Sequence, residues 1–178
     1  MKLKSVVVFL FVILIISCRE DKLKPTIDQN LGSGELPVQE SWNAEIQFSD
    51  GDRIKAILYA GHLYVFQNQK VTNLEEVKIN FFDSEGNITS TLTSKKGKVD
   101  DLTKNMFAID SVVAINDSGV VLKTEELIWK NRERKITTDK FVTIDDGDDH
   151  MEGYGFVSDE SLSNYTIYKV TYITTKKK

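Results

Sequence analysis

The residues Val77-Lys78-Ile79-Asn80-Phe81-Phe82, then Asp83-Ser84-Glu85-Gly86-Asn87, then Ile88-Thr89-Ser90-Thr91-Leu92 read as two strands joined by a turn. Apolar and polar side chains alternate on both arms, the period of a strand with one face in a core and one in water. Val, Ile, Thr and Phe suit a pleated surface. The break between the arms is made of residues that favour tight turns. The same pattern continues outward. Upstream, Trp42-Asn43-Ala44-Glu45-Ile46-Gln47-Phe48 alternates, and Ile54–Ala60 and Leu63–Phe66 follow the turn Ser49-Asp50-Gly51-Asp52. Downstream come Phe107–Ile109, Val112–Ile115, Val120–Lys123, Leu127–Trp129, Phe141–Ile144, Tyr154–Val157 and Tyr165–Ile173. Asn116-Asp117-Ser118-Gly119 and Asp145-Asp146-Gly147-Asp148-Asp149 supply further turns. The strongest helical competitor, Lys123 to Arg134, carries charge on every face and reads as strand. The expectation is an all-β domain of antiparallel strands.

Val112-Val113-Ala114-Ile115 matches Phe141-Val142-Thr143-Ile144 at an offset of 29, which also carries Thr124 onto Gly153 and Leu127 onto Phe156. A strand pair that cannot bury its own apolar face must share a core with stacked copies. The repeat therefore fits a long antiparallel jelly roll, with a chance match in β-rich sequence as the alternative.

Composition narrows the function classes. In 178 residues there are 23 Lys plus Arg against 27 Asp plus Glu, a formal charge of −4. That is too acidic for a general nucleic-acid binder, whose phosphate contacts need a basic face. Two His and one Cys cannot build a Cys/His zinc cluster, and one Cys excludes an internal disulfide.

The lone Cys lies at a telling place. Lys2 and Lys4 precede eleven uninterrupted apolar residues, Val6 to Ile16, and Ser17-Cys18 follows. The run suits a signal segment and is short for a membrane span of about 20 residues. Ile15-Ile16-Ser17-Cys18 resembles a bacterial lipobox, in which the Cys receives a diacylglycerol chain before cleavage. An uncleaved anchor, or an ordinary signal with a chance Cys, is the alternative. The expected organisation is a signal over 1–17, an acylated Cys18 with a flexible tether over 18–40, a β domain over 41–175 and a basic tail over 176–178. The tether holds both prolines, Pro25 and Pro37, and Gly32-Ser33-Gly34.

No catalytic constellation is evident. His62 and His150 are isolated in sequence, with no second His or Cys at i+2 or i+4, and Asp145–Asp149 lacks the spacing of a calcium loop. There is no phosphate loop or nucleophile elbow. Gly153-x-Gly155 lies between strands and reads as a bulge or a close backbone approach. The expectation is no enzyme, no cofactor and no metal. What remains is a set of apolar side chains expected on inward faces: Ile79, Phe81, Leu92, Ile115, Leu122, Trp129, Ile144 and Phe156. In a closed sandwich they are core, and in an open one they line a groove.

One family resembles this pattern. Ser94-x-x-Gly97-x-Val99-Asp100, Val112-x-x-Ile115, Gly119-x-x-Leu122-x-Thr124, Glu126-Leu127-x-Trp129, Lys135-Ile136-x-Thr138-Asp139, Val142-x-Ile144 and Met151-x-Gly153-x-Gly155-Phe156-x-x-Asp159 follow one another as in the periplasmic lipopolysaccharide-export proteins of the LptC and LptA/OstA type. A membrane attachment before a single β domain is similar to LptC. The resemblance implies a β-jelly roll, open along one side, that shields lipopolysaccharide acyl chains. It implies receipt of lipid from the permease subunits of an inner-membrane ABC transporter and delivery to an LptA-like periplasmic bridge, without catalysis. Edge pairing in the family points to the last strand, with Tyr165, Ile167, Lys169, Thr171 and Ile173, as a docking edge. The familiar LptC has a transmembrane helix where this chain has a lipobox-like sequence. The expected place is the periplasmic face of the inner membrane, held by the N-terminal lipid. Arg19 is not the inner-membrane retention Asp of enterobacteria, so outer-membrane sorting stays open. The other reading is a structural or adhesive surface lipoprotein with a closed β-sandwich and no lipid cargo.

Overall fold

In a computed structural model, residues 36–67 and 69–175 are described. The expected signal, most of the tether, Cys18 and the basic tail lie outside them. Among the described residues nine strands follow one another without a helix: β1 (Gln39–Asp50), β2 (Arg53–Val65), β3 (Val71–Phe82), β4 (Ile88–Asp100), β5 (Met106–Asn116), β6 (Val121–Lys130), β7 (Lys135–Asp146), β8 (Asp149–Asp159) and β9 (Tyr165–Thr175). β1 begins two residues inside the stretch assigned to the tether. Each strand pairs antiparallel with the next, giving one sheet in the order β1 to β9. β1 and β9 are its two ends and do not pair with each other. The domain is all-β and forms an open antiparallel β-jelly roll.

The strands are longer than their apolar cores in sequence. Phe107–Ile109 and Val112–Ile115 are one strand, and so are Ile54–Ala60 and Leu63–Val65. Polar residues such as Lys135 and Thr137 on β7, and Lys96 and Lys98 on β4, also join the ladder. Their backbone groups find partners on the neighbouring strand whatever their side chains are.

A row of bulges crosses the sheet. Registers shift at Thr93/Lys96, Ile109/Val112, Thr124/Ile128, Thr138/Phe141 and Glu152/Gly153. Extra residues on one strand bend a sheet and increase its twist. In β5 the bend rests on Asp110 and Ser111, both at positive φ. The sequence offset of 29 carries the β5 bulge onto the β7 bulge, and Thr124 onto Gly153 beside the β8 bulge. The repeat thus marks where alternate strands turn the same corner.

The bent sheet folds over itself. Trp129 of β6 meets Phe48 of β1 edge-on at 4.8 Å and Phe81 of β3 at 5.2 Å between ring centroids. Lys55 of β2 donates to the Asn131 side chain beyond β6 at 3.2 Å. One apolar cluster fills the space between the layers, from Phe48 and Leu58 through Ile79, Leu92 and Leu122 to Ile144 and Phe156.

Candidate functional site

The interior is built by the strand period. Ile46, Leu58, Ile79, Leu92, Ala114, Leu122, Ile144 and Met151 form one continuous row of directly opposed pairs across β1 to β8. Opposed residues share a face, so the row is a transverse apolar stripe on the inside of the roll. Of the eight expected inward side chains, Ile79, Phe81, Leu92, Leu122, Trp129, Ile144 and Phe156 are fully buried.

Ile115 is a correction. It lies on the outer face and is 45% exposed. It is opposite Val121, whereas Leu122 is opposite Ala114, so Ile115 and Leu122 cannot share a face. Val112, Ala114 and Asn116 take the inward positions of that segment.

One end of the interior is closed by a polar clasp around Trp129. Trp129 is 1% exposed, and its indole N–H donates to Oε1 of Glu160 at 2.8 Å. The other carboxylate oxygen of Glu160 accepts from Nε of Arg134 at 2.9 Å. The Ser90 hydroxyl on β4 donates to the Glu160 backbone carbonyl. A buried carboxylate is tolerable only with such partners. Among the described residues no buried side-chain polar atom lacks a hydrogen bond. Sequence reading missed Glu160, Ser90 and Arg134 altogether, because no local pattern couples positions 90, 129, 134 and 160. The adjoining Asp159 is pushed up by burial, but hydrogen bonds from Asn164, Ser161 and the Ser163 N–H outweigh this and hold it below the usual carboxylate range.

The opposite situation holds along the ends of the sheet. Ala44 and Ile46 on β1, Val65 on β2, Met151 on β8, and Tyr165 and Ile167 on β9 pack against the core while staying partly exposed. Farther along β9, Val170 is opposite Gly153 and Ile173 is opposite Met151. Ile173 is 60% exposed. Beside β1 an open depression of about 380 Å³ is lined in part by Ala44, Ile46, Leu63 and Val65. These side chains form an apolar rim on a roll whose two end strands leave it unclosed. The Tyr165 hydroxyl donates to Asp146 at 2.8 Å. Burial and that bond push its pKa up to about 12, so it stays a neutral donor.

The remaining sequence-marked positions play backbone and packing roles. A Cβ at Gly153 would lie 2.5 Å from the Lys169 carbonyl oxygen, so β9 can approach only glycine there. Gly155 has φ +72°, and Gly119 has φ +90° in the β5–β6 turn, conformations that favour glycine. Gly97 sits against Val77 and Met106, where a side chain would crowd the interior. Leu127 and Ile136 are buried core. Asp139 is exposed in the β7 bulge and pairs with Lys140 at 3.3 Å. Tyr165, Ile167, Lys169, Thr171 and Ile173 all lie on β9, which pairs only with β8 among the described residues.

Each histidine sits between two carboxylates. His62 faces Glu40 through Nε2 at 3.2 Å and Glu75 through Nδ1 at 3.4 Å. His150 faces Asp145 through Nδ1 at 2.6 Å and Glu152 through Nε2 at 3.1 Å. The carboxylates lie on opposite nitrogens, so neither set converges on one point as metal ligands must. No group of three or more His, Cys, Asp or Glu among the described residues could hold a metal. No helix among them is long and apolar enough to cross a membrane.

The described residues thus form an unclosed β-jelly roll with an apolar inside, a clasped end, and two end strands that each pair on one side only. The family described as lipopolysaccharide-assembly, LptC-related, matches residues 6–174, and the chain belongs to it. Membership gives the chain a role in lipopolysaccharide transport, as a transport component and not as a member of an enzyme family. It associates the chain with the periplasmic side of the inner membrane. No curated protein matches the chain.

Proposed function

We propose that this chain takes lipopolysaccharide from the permease subunits of an inner-membrane ABC transporter. It passes the lipid through its apolar interior to an LptA-like periplasmic bridge. The observation that carries this reading is the transverse stripe from Ile46 on β1 to Met151 on β8, in a sheet whose two end strands do not close on each other, and it is continuous with a partly exposed apolar rim. Covering acyl chains there recovers roughly 25 cal/mol per Å² of apolar surface, so no energy-coupling residue is needed in this chain. The acyl chains enter at the rim, by Ile46 and Ile167, and displace core side chains inward of it. β9 offers its free edge to the bridge protein. Photo-crosslinking groups at Ile46 and Ile167 should capture glycolipid, while the same group at outward-facing Ile115 should not. Equal capture at all three would overturn the groove.

The attachment is part of the same proposal. Cys18 is acylated after removal of residues 1–17 and holds the domain at the periplasmic face of the inner membrane, with 18–40 as tether. Cys18→Ala should abolish incorporation of a palmitate analogue and leave the chain unprocessed. Equal label in variant and parent would sink the claim.

The full burial of Leu58, Ile79, Leu122 and Ile144 favours a second reading, a structural or adhesive surface lipoprotein whose filled interior takes no lipid cargo. In that case the rim positions capture nothing.

A further inference from the structure

On the outer face of the first two strands, Trp42, His62, Tyr64 and Phe66 form an unbroken line of ring contacts. Trp42 stacks on His62 at 5.2 Å with 14° between planes. His62 lies 5.0 Å from Tyr64, and Tyr64 meets Phe66 edge-on at 5.7 Å. Trp42 is nonetheless 64% exposed, and Leu36 and Val38 just before it are exposed as well. The other tryptophan, Trp129, is buried in the clasp. A tryptophan held flat by an imidazole on one side, with its other side open, is a prepared contact surface.

We infer that the Trp42 face, with Leu36 and Val38, rests on the headgroup region of the bilayer to which the chain is attached. This rests on the membrane attachment proposed above. Three features choose a lipid surface over a protein partner. Amphipathic aromatic rings partition to the membrane–water interface, where one end is apolar and the other wet. Leu36 is eighteen residues beyond Cys18, so even a fully extended chain keeps it within about 60 Å of the attachment point. That proximity raises the local concentration of bilayer around the patch, so a weak interfacial contact is enough to hold it. The surrounding charge is mixed: Glu40 and Glu75 flank His62, and Lys96 is opposite Glu75 on β4. A mixed surface suits zwitterionic headgroups and offers no net attraction to anionic ones. The contact would set the tilt of the roll, leaving β9 at the other end of the sheet free.

The two tryptophans make the test internal. The full chain is placed in nanodiscs of phosphatidylethanolamine with brominated phosphatidylcholine, and emission is compared with that of Trp42→Phe, which reports Trp129 alone. Docking predicts that the Trp42 component shifts to the blue and is quenched by the brominated chains, while Trp129 is not. Adding anionic lipid should not strengthen the quenching. Flotation of the chain with the discs reads the attachment separately. A chain that floats while Trp42 stays open to acrylamide and unquenched overturns the docking and spares the attachment. A chain that does not float overturns both. A blue shift that grows with protein concentration and needs no lipid would assign the face to a second copy and overturn the lipid contact.

Discussion

The two sides of the roll use the same alphabet to opposite ends. At the clasped end, Trp129 is enclosed by Phe48, Phe81 and Glu160, and no buried side-chain polar atom there lacks a partner. Along the end strands, Ile46, Tyr165, Ile167 and Ile173 alternate with polar residues just as faithfully, yet remain partly or largely open. The difference is the presence of an opposing layer. Period-2 apolar residues become core where the bent sheet folds back upon them, and become a rim where the sheet ends. One molecule therefore combines an enclosed end with an open rim.

The sharpest way to break that contrast is with charge. Leu122→Arg places an unpaired cation in the transverse stripe and should abolish cooperative unfolding. Ile167→Arg, on the rim, should keep the fold, with a loss of about 1 kcal/mol or less, while glycolipid crosslinks from Ile46 fall. Circular dichroism melts on both variants check this. If both unfold, the rim is core and the groove reading fails.

Trp129→Ala tests the clasp. Removing a fully buried Trp typically costs about 3–5 kcal/mol, and here it also strips one hydrogen bond from Glu160. The denaturant midpoint should fall with the slope unchanged. A loss below about 1 kcal/mol would mean that the end is not held by this residue.

A smaller effect on stability, but a specific one on binding, is expected from Thr171→Pro. The β8–β9 register passes from Glu152 opposite Tyr172 to Gly153 opposite Val170, so Thr171 has no opposite number on β8. Proline removes an N–H, and at this skipped position the ladder to β8 should survive. Binding to the next jelly-roll protein should weaken in a pull-down. Unchanged binding by the folded variant would exclude β9 as the docking edge.

The smallest effect is a pH dependence near β9. Hydrogen bonds to Asp145 first, and Glu152 second, raise the His150 pKa above its ordinary 6.5. A histidine with both nitrogens facing carboxylates satisfies both only as the imidazolium, because the neutral ring has one donor. Its contribution to stability is therefore fully present below pH 6.5 and is lost as pH rises through the higher folded value. An NMR titration should place the His150 midpoint above 6.5, and His150→Gln should flatten stability across that window. A midpoint at or below 6.5 would discard the bridge.

Much of the fold was open to reading. The hairpin over Val77–Leu92, the turns at Gly51, Gly119 and Gly147, and the close approach at Gly153 all follow from local chemistry. The offset of 29 suggested a repeat, and only the pairing showed that it links bulges on alternate strands. Ile115 shows where local reading stops. Alternation says that neighbours face opposite ways, but the parity of a strand is reset at each bulge. Only the pairing of Ala114 with Leu122 shows which parity points inward. For the candidate site, Ile79, Leu92, Leu122 and Ile144 of the stripe were legible, Ile46, Leu58, Ala114 and Met151 were not singled out, Ile115 was placed on the wrong face, and of the clasp only Trp129 was marked. Glu160 looked like one more acid in a turn.

The sequence alone determined what depends on near neighbours along the chain: strand period, turn chemistry, the glycines at positive φ and the family motif series. The tertiary structure alone decided what depends on groups far apart in sequence. Trp129 meets Phe48 across 81 positions and Glu160 across 31, and among the described residues β1 and β9 each keep one free edge because the bent sheet does not bring them together. Short-range propensity fixes which residues can form a strand, while burial, and with it the line between core and groove, is set by which layer comes to lie opposite.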